Sequence, residues 1–332
     1  MKTDLIHPDH PEEALELLKT VEGCRKYQTI VAAHDLGFFP AIATPATAAE
    51  VAKKLGTDPT TTEDILIALS AMKLARFREG RYELAPVARE MLLPESLRYI
   101  GGLLKLDQDL MRRFSHLSEI AKTGIWPERP VAPEDHEGDW EDTFIYAMQG
   151  YSASGAAGWL ALRVDLSDKR NLLDIGGGPG IYSIALCQRF PHLRATVWDL
   201  PRAIKIASGY VGRYGMSERV SLHPGDWNTD DFGSGYDALL MSNILHGEGS
   251  LAKEKLEKAM NALEPGGLLI IQDFLIRDDN SGPQTAALFR IMVGAYHQSE
   301  MLKLIERAGF KEVKLVDCDE VRGHCLVTAV RP

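Results

Sequence analysis

Basic charge, paired cysteines and long apolar runs are all scarce in this sequence of 332 residues. Lys and Arg number 37 against 47 Asp and Glu, which gives a net charge of -10. Non-specific binding to nucleic acid depends on a basic surface that contacts phosphates, so no nucleic-acid partner is expected. The longest apolar runs, such as 268–271, fall far short of the roughly 20 residues that a membrane span needs. A membrane partner is therefore not expected either.

The N-terminal residues lack the apolar region of a secretory signal, which predicts a cytoplasmic protein. The four cysteines form no CxxC pair: they are Cys24, Cys187, Cys318 and Cys325. In a reducing compartment we expect them to be free thiols packed in the core. Their spacing, even with His324 between the last two, fits no standard zinc pattern, so no metal is predicted.

The first 95 residues are typical of a helical domain that ends in a hairpin. Thr47 to Glu50 has the form of a capping box and predicts a helix over 48–55. A second helix is predicted over 62–74, and the alternation around Glu79-Gly80 predicts a hairpin over 75–84. Helix, turn, helix and hairpin is the layout of a winged helix-turn-helix.

Winged helices often bind DNA, but the charges here argue against that function. Residues 47–93 carry seven basic and seven acidic side chains, and Glu63 and Asp64 open the helix that would read the bases. We therefore expect residues 1–95 to be a scaffold or dimerisation domain. A ligand-sensing DNA regulator stays as the alternative.

Residues 96–165 are predicted to be connecting helices rich in aromatic residues and methionine. They are interpreted either as packing between domains or subunits, or as one wall of an apolar ligand pocket. A substrate wall is predicted from Phe144 and Met148 of this region together with Phe289 and Met292.

Residues 166–332 alternate strands and helices, which predicts a doubly wound α/β fold with a largely parallel sheet. The predicted strands are 171–175, 195–198, 220–223, 236–242, 268–272, 313–317 and 325–330. In such sheets ligands bind beyond the carboxyl ends of the strands. The candidates at successive strand ends are a glycine-rich loop at 176–180, Asp199, Asp226, His246 and Asp273.

The glycine loop differs from a dinucleotide fingerprint, because Ile181 stands where GxGxxG has its third glycine. This disfavours a nicotinamide oxidoreductase. Gly176 and Gly178 still allow close backbone approach, and the following helix N-terminus attracts an anion such as an amino-acid carboxylate. Asp199 is placed to accept hydrogen bonds from ribose hydroxyls, and Asp226 from an exocyclic amine. An adenosine joined to an amino acid satisfies all three demands.

Four motifs lie at or just after the ends of predicted strands: Asp174-Ile175-Gly176-Gly177-Gly178-Pro179-Gly180, Asp199-Leu200-Pro201, Gly225-Asp226-Trp227 and Asn243-Ile244-Leu245-His246. Together they resemble those of the S-adenosylmethionine-dependent O-methyltransferases, in particular the plant caffeate-type and bacterial polyketide-tailoring group. The resemblance implies a homodimer joined through the N-terminal winged helix. It also implies a Rossmann-like, seven-stranded sheet with an antiparallel last strand over 166–332, and a small-molecule acceptor, most often a phenol.

The same resemblance assigns roles to individual residues. His246 matches the general base of the family, and Asp273 stands where a carboxylate partner of that histidine usually lies. The S-adenosylmethionine site would comprise Asp174, Gly176, Gly178, Asp199, Leu200, Asp226, Trp227 and Asn243.

The surroundings of His246 depart from the family pattern. His246-Gly247-Glu248 stands where His-Asp-Trp is common, and Ala295-Tyr296-His297 stands where the family often has a second carboxylate. Glu248 and His297 are candidates to replace that carboxylate. The alternative function is a member of the family with altered chemistry, which methylates carbon, nitrogen or sulfur or transfers no methyl group.

Overall fold

The computed structural model describes residues 10–126 and 140–332, except the side chain of Glu248. Residues 1–9, which bear on the signal prediction, and 127–139 of the predicted connecting region lie outside the described residues. The chain divides into two compact units, the first ending at Leu104 and the second beginning at Lys105.

The first unit contains the predicted helices and hairpin. Its elements are α1 Pro11–Asp35, α2 Phe38–Ala41, α3 Ala48–Leu55, α4 Pro59–Ala71, β1 Ala75–Arg78, β2 Arg81–Leu84 and α5 Pro86–Leu92. The capping box of α3 is formed, since the Glu50 N–H donates to Thr47 Oγ1 at 3.2 Å and the Thr47 N–H donates to Glu50 Oε2 at 2.7 Å. Helix α4 begins three residues earlier than predicted because Asp58 accepts a bond from the Thr61 N–H.

Helix α1 extends far beyond the apolar stretch at 27–38 that indicated it. Its N-terminal half carries large apolar side chains that are more than half exposed: Leu15, Leu17, Leu18 and Val21. Contiguous exposed apolar surface of this kind is typical of a surface that binds another protein.

A run of helices precedes the main sheet. Helix α6 Gly101–Phe114 crosses the boundary between the units and is followed by α7 Leu117–Thr123, α8 Trp140–Tyr151, a π-helical turn Ser152–Ala156 and α9 Ala157–Ala161. Within the described ranges, no helix is long and apolar enough to cross a bilayer.

The rest of the second unit alternates strands and helices as predicted. Its elements are β3 Asn171–Ile175, α10 Ile181–Arg189, β4 Arg194–Asp199, α11 Pro201–Arg213, β5 Val220–Pro224, β6 Tyr236–Ser242, α12 Ala252–Ala262, β7 Leu263–Ile276, α13 Gln284–Val293, β8 Tyr296–His297, α14 Gln298–Arg307, β9 Lys311–Cys318 and β10 His324–Val330.

The sheet has the strand order β5-β4-β3-β6-β7-β10-β9, with the short β8 beside β7. Strands β3 to β7 are parallel, and β10 is antiparallel to both of its neighbours. This confirms the predicted fold class, including the antiparallel last strand; β8 was not predicted. The order reverses beside β3, so a crevice opens where the glycine loop begins.

Two expectations about the last strands are wrong. Asp273 does not end its strand: β7 continues to Ile276, because β10 pairs with it as far as Phe274 and β8 pairs with Leu275 and Ile276. Cys318 and Cys325 are not free thiols but form a disulfide, since the β9–β10 register places them opposite each other with their Cα atoms 4.0 Å apart. Cys187 is buried and free as expected, whereas Cys24 is free but exposed.

His324, at the start of β10, is almost completely buried. Its ring lies against Phe274 at a centroid distance of 4.5 Å and against Tyr151 at 5.4 Å. Burial lowers the pKa of His324 to about 4, although Asp273 and Asp319 act in the opposite direction. The folded protein therefore holds a neutral imidazole at this position near pH 7.

We expect His324 to reduce stability in acid. Its imidazole takes up a proton near pH 6.5 in the unfolded chain but only near pH 4 in the folded one. Protons thus favour unfolding between these values, and the free energy of unfolding falls as the pH drops through that window. Urea titrations at about pH 7 and about pH 4.5 measure this change. Between these values, the free energy of unfolding of His324→Gln should fall by about 2 kcal/mol less than that of the wild type. The exposed His116→Gln is the control, and an unchanged pH dependence in His324→Gln would contradict the prediction.

Candidate functional site

A cavity of about 610 Å³ lies at the carboxyl ends of β3, β4 and β6. Its walls come from the glycine loop, the segments after these strands, and helices α8, α11 and α12. Predicted residues on its wall are Phe144, Met148, Gly176, Gly178, Asp199, Leu200, Trp227, Asn243 and His246. Groups that the sequence places up to about a hundred positions apart thus share one cavity.

The glycine loop owes its shape to positive φ angles, +66° at Gly176 and +54° at Gly178. A Cβ on Gly176 would lie 2.3 Å from the Trp227 ring, so only glycine lets that ring pack against the loop. The Gly178 N–H donates to Asp199 Oδ2 at 2.7 Å. Helix α10 begins directly after the loop, which brings a helix N-terminus close to the cavity.

Asp174 lies beneath this loop and not on the cavity wall. It is fully buried and accepts a hydrogen bond from Ser183 Oγ at 2.7 Å. Burial raises its pKa to about 7, against the lowering effect of that bond. A Cβ on Gly177 would meet the Asp174 carboxyl group at 2.8 Å, so the acid supports the loop from below.

Asp199 ends β4 on the cavity wall with both carboxylate oxygens bonded. Oδ2 accepts from the Gly178 N–H and Oδ1 from the Leu200 N–H, each at 2.7 Å. Burial raises the Asp199 pKa, and the two N–H groups oppose that shift. Acceptor lone pairs remain for further donors, because each carboxylate oxygen has two.

Asp226 and Trp227 differ in position. Trp227 lies on the wall, and its carbonyl accepts from Lys258 Nζ at 2.9 Å. Asp226 does not line the cavity: its Oδ1 accepts from the Asn228 N–H at 2.8 Å, which stabilises the turn that presents Trp227.

His246 lies on the wall at the end of the segment after β6, and Asp273 lies behind it. The distance from His246 Nδ1 to Asp273 Oδ1 is 3.4 Å, and the carboxylate is fully buried. An imidazolium at this distance would be attracted to the carboxylate, although Nδ1 makes no hydrogen bond with the described residues. Asp273 Oδ2 also accepts from the Leu245 N–H at 2.9 Å. One carboxylate thus supports both the histidine and the backbone beside it.

His297 lies elsewhere and does not replace the second carboxylate. Its ring nitrogens are 3.3 Å from Glu300 Oε2 and 3.0 Å from Asn280 Oδ1, at the N-terminus of α14. The side chain of Glu248 lies outside the described part of the chain.

The predicted substrate wall is only partly assembled. Phe144 and Met148 line the cavity one helical turn apart on α8. Phe289 does not line it but packs edge-on against the His246 ring at 5.1 Å. Met292 does not line it either, whereas the next residue, Val293, does.

Two residues that the sequence reasoning missed, Tyr182 and Lys255, also belong to this site. Tyr182 lines the cavity, and its hydroxyl accepts from Gln272 Nε2 at 2.7 Å. Lys255 also lines it, is only 5% exposed and donates to the Ile244 carbonyl at 3.0 Å. Burial lowers the Lys255 pKa, and Asp273 opposes this. The sequence does contain a signal for Lys255: it lies on the same helix face as the apolar Ala252, Leu256 and Ala259 of α12.

The chain matches two family models. Residues 136–311, more than half of the chain, match the O-methyltransferase domain, and residues 18–94 match the O-methyltransferase dimerisation domain. Its relatives include 3-hydroxy-5-methyl-1-naphthoate 3-O-methyltransferase of Streptomyces sahachiroi, 34% identical over 93% of both chains. L-tyrosine C(3)-methyltransferase of Streptomyces lavendulae is 28% identical over 82% of this chain and 78% of its own length.

A solved structure supports the fold. Human N-acetylserotonin methyltransferase, determined in complex with S-adenosylmethionine, superposes with a TM-score of 0.81 at 21% identity and covers 98% of this chain and 99% of its own. The family models, the relative at 34% identity and the strand-end cavity agree with one another. The chain belongs to the O-methyltransferase family that combines a dimerisation domain with a methyltransferase domain.

Proposed function

We propose that this chain transfers a methyl group from S-adenosylmethionine to a hydroxyl group of a small aromatic molecule, with His246 as general base. The observation that carries the proposal is the single cavity, which has Asp199, Trp227 and Asn243 on its wall together with His246. Membership of the O-methyltransferase family supports the methyl donor and the reaction class.

The residues present fit the cofactor. Asn243 Oδ1 is buried beside the cavity and receives no hydrogen bond from the described residues, so a bound ammonium group would satisfy it. Asp199 has lone pairs for the ribose hydroxyls, and the Trp227 ring offers a flat face beside Gly176 for the adenine. Asp226 is proposed to lie near the adenine edge, and Asp174 to act indirectly by holding the glycine loop.

The part of the wall formed by α8 fits an aromatic acceptor. Trp140 and Phe144 stack with their ring centroids 5.4 Å apart, and Met148 follows on the same face. Such a surface binds a flat apolar ring and excludes water from it. The relative from Streptomyces sahachiroi, whose name gives a hydroxynaphthoate as its acceptor, supports a hydroxylated aromatic substrate.

The proton of the acceptor hydroxyl is the group that the protein must move. When bound, S-adenosylmethionine supplies a methyl group already activated on a sulfonium, so this chain must mainly orient the acceptor and exclude water. A phenol titrates near pH 10, and a neutral imidazole can take its proton as the oxygen attacks. Asp273 would stabilise the resulting imidazolium, since its carboxylate lies 3.4 Å from Nδ1.

The alternative is methylation of carbon or nitrogen in the same cavity. The relative from Streptomyces lavendulae, whose name gives a carbon of tyrosine as its acceptor, supports this alternative. The two functions differ in their dependence on His246, because an oxygen acceptor must lose a proton to a base near neutral pH.

A dimer built from the first unit is also proposed, in line with the match to a dimerisation domain. We interpret this unit as a winged helix whose exposed apolar side chains on α1 contact a second copy of the chain. The cytoplasm is the proposed compartment.

Calorimetric titration with S-adenosylhomocysteine tests the cofactor site. We expect micromolar-range binding by the wild type and about tenfold weaker binding by Asp199→Ala, which corresponds to about 1.4 kcal/mol for one good polar contact. Asp168→Ala, an exposed acid outside the cavity, should bind like the wild type. Absence of binding by a folded wild type would rule out the cofactor assignment.

Methyl transfer from labelled S-adenosylmethionine to 3-hydroxy-5-methyl-1-naphthoate and a panel of phenols tests the base. His246→Gln should lower kcat by about 100-fold or more, the range of general base catalysis, and leave S-adenosylhomocysteine affinity within about threefold. His297→Gln is the matched control and should retain kcat, because its ring lies at α14. Full activity of His246→Gln would refute the assignment of His246 as the general base.

Light scattering after size exclusion tests the dimer. Replacing Leu18 and Val21 together by Glu should convert a dimer to a monomer, because buried apolar contacts are exchanged for charges. Val321→Glu, at a more exposed apolar position in the second unit, should remain dimeric. A monomeric wild type, or a double variant that stays dimeric, would contradict this interface.

A further inference from the structure

Lys255 is a buried cation on the cavity wall to which the proposed mechanism gives no role. It is 5% exposed on the inward face of α12, between the turns that carry Ala252 and Ala259. Burying an ammonium group is costly unless specific contacts compensate for the lost water. Its contacts therefore indicate what it does.

The first contact is with the backbone next to His246. Lys255 Nζ donates to the Ile244 carbonyl at 3.0 Å, and the Leu245 N–H donates to Asp273 Oδ2 at 2.9 Å. That carbonyl and that N–H belong to the same peptide group. Lys255 and Asp273 thus hold one peptide plane at both of its polar ends, directly before His246.

The second contact is with the proposed adenine platform. Lys255 Nζ lies 4.6 Å from the centroid of the Trp227 ring, within the range of a cation–π interaction. The Trp227 ring also packs against Gly176, as the 2.3 Å approach of a hypothetical Cβ shows. One ammonium group therefore contacts both the ring beside the glycine loop and the segment that carries His246.

The charges around His246 make this arrangement sensitive to Lys255. Asp273 lies 3.4 Å from the imidazole and also interacts with Lys255 and with His324, which is neutral near pH 7. Lys255 and His246 thus both lie near the same buried carboxylate. Removing the Lys255 charge therefore changes the electrostatic environment of the imidazole.

We propose that Lys255 is a positioning residue of the methyl-transfer site, whose buried ammonium couples the Trp227 ring to the Ile244–Leu245 peptide and so to His246. The inference rests on the proposed function for its meaning, but its test requires no methyl transfer. It predicts that losing this one cation disturbs both cofactor affinity and the titration of His246.

The first measurement compares Lys255→Met with Lys253→Met, a substitution on the same helix at a side chain that is 72% exposed. Calorimetric titration with S-adenosylhomocysteine should show about tenfold weaker binding for Lys255→Met, because the Trp227 ring loses its partner. Lys253→Met should bind like the wild type.

The second measurement is the pKa of His246 by nuclear magnetic resonance in the S-adenosylhomocysteine-bound proteins, with its signal assigned by its absence in His246→Gln. Lys255→Met should raise that pKa by about half to one pH unit, since a neighbouring positive charge is removed. A purely structural role would weaken binding without moving the titration. If Lys255→Met does not fold, Lys255→Gln, which keeps a donor for the Ile244 carbonyl without the charge, should show the same rise.

An unchanged S-adenosylhomocysteine affinity or an unchanged His246 pKa in a folded Lys255→Met or Lys255→Gln protein would overturn the proposal. Both readouts are independent of the acceptor. A protein that transfers no methyl group yet shows both effects would therefore contradict the proposed function alone.

Discussion

The parallel pairing of β3 with β4 and β6 is the constraint on which the site depends. Parallel strands end at the same edge of a sheet, so each segment that follows a strand delivers its side chains to one crevice. The hydrogen bond from the Gly178 N–H to Asp199 joins two of these segments directly. Without the shared register, the glycine loop, Asp199 and His246 would be distant points on the chain.

The site is built around buried charged and polar groups whose partners are largely backbone. Asp199 accepts two backbone N–H bonds, Asp273 accepts two more, and Lys255 donates to a carbonyl. Backbone groups held by a sheet move little, so they orient these side chains at low cost in entropy. The charged side chains in turn hold the segments that carry Trp227 and His246. Removing one of these charges should therefore also change the position of the segment that it holds.

The departures from the family pattern around His246 have a partial answer in the structure. His297 is bound at α14 and supplies no replacement carboxylate. The described surroundings of His246 instead contain one carboxylate, a lysine, and a buried histidine whose pKa is lowered. Among the described residues, Asp273 is the carboxylate that lies next to the imidazole.

Local sequence patterns specify the order of elements, because hydrophobic periodicity, capping residues and glycine positions act on neighbouring residues. Helix α3 with its capping box, the hairpin β1–β2, the alternating strands and helices, and the glycine loop were all predicted in this way. The family motifs then identified Asp199, Trp227 and His246 as members of one site, and the structure places all three on the cavity wall.

The three-dimensional packing, in contrast, sets which side chains reach the cavity and which support it from behind. Asp174 and Asp226 belong to the same motifs as Gly176 and Trp227, yet neither lies on the wall. Asp174 is on the buried strand β3, where it accepts from Ser183, and Asp226 accepts from the Asn228 N–H within its own turn. The length of β7, the disulfide between β9 and β10 and the role of Lys255 all follow from contacts between distant segments. Such contacts depend on strand register and helix packing, which local sequence patterns do not encode.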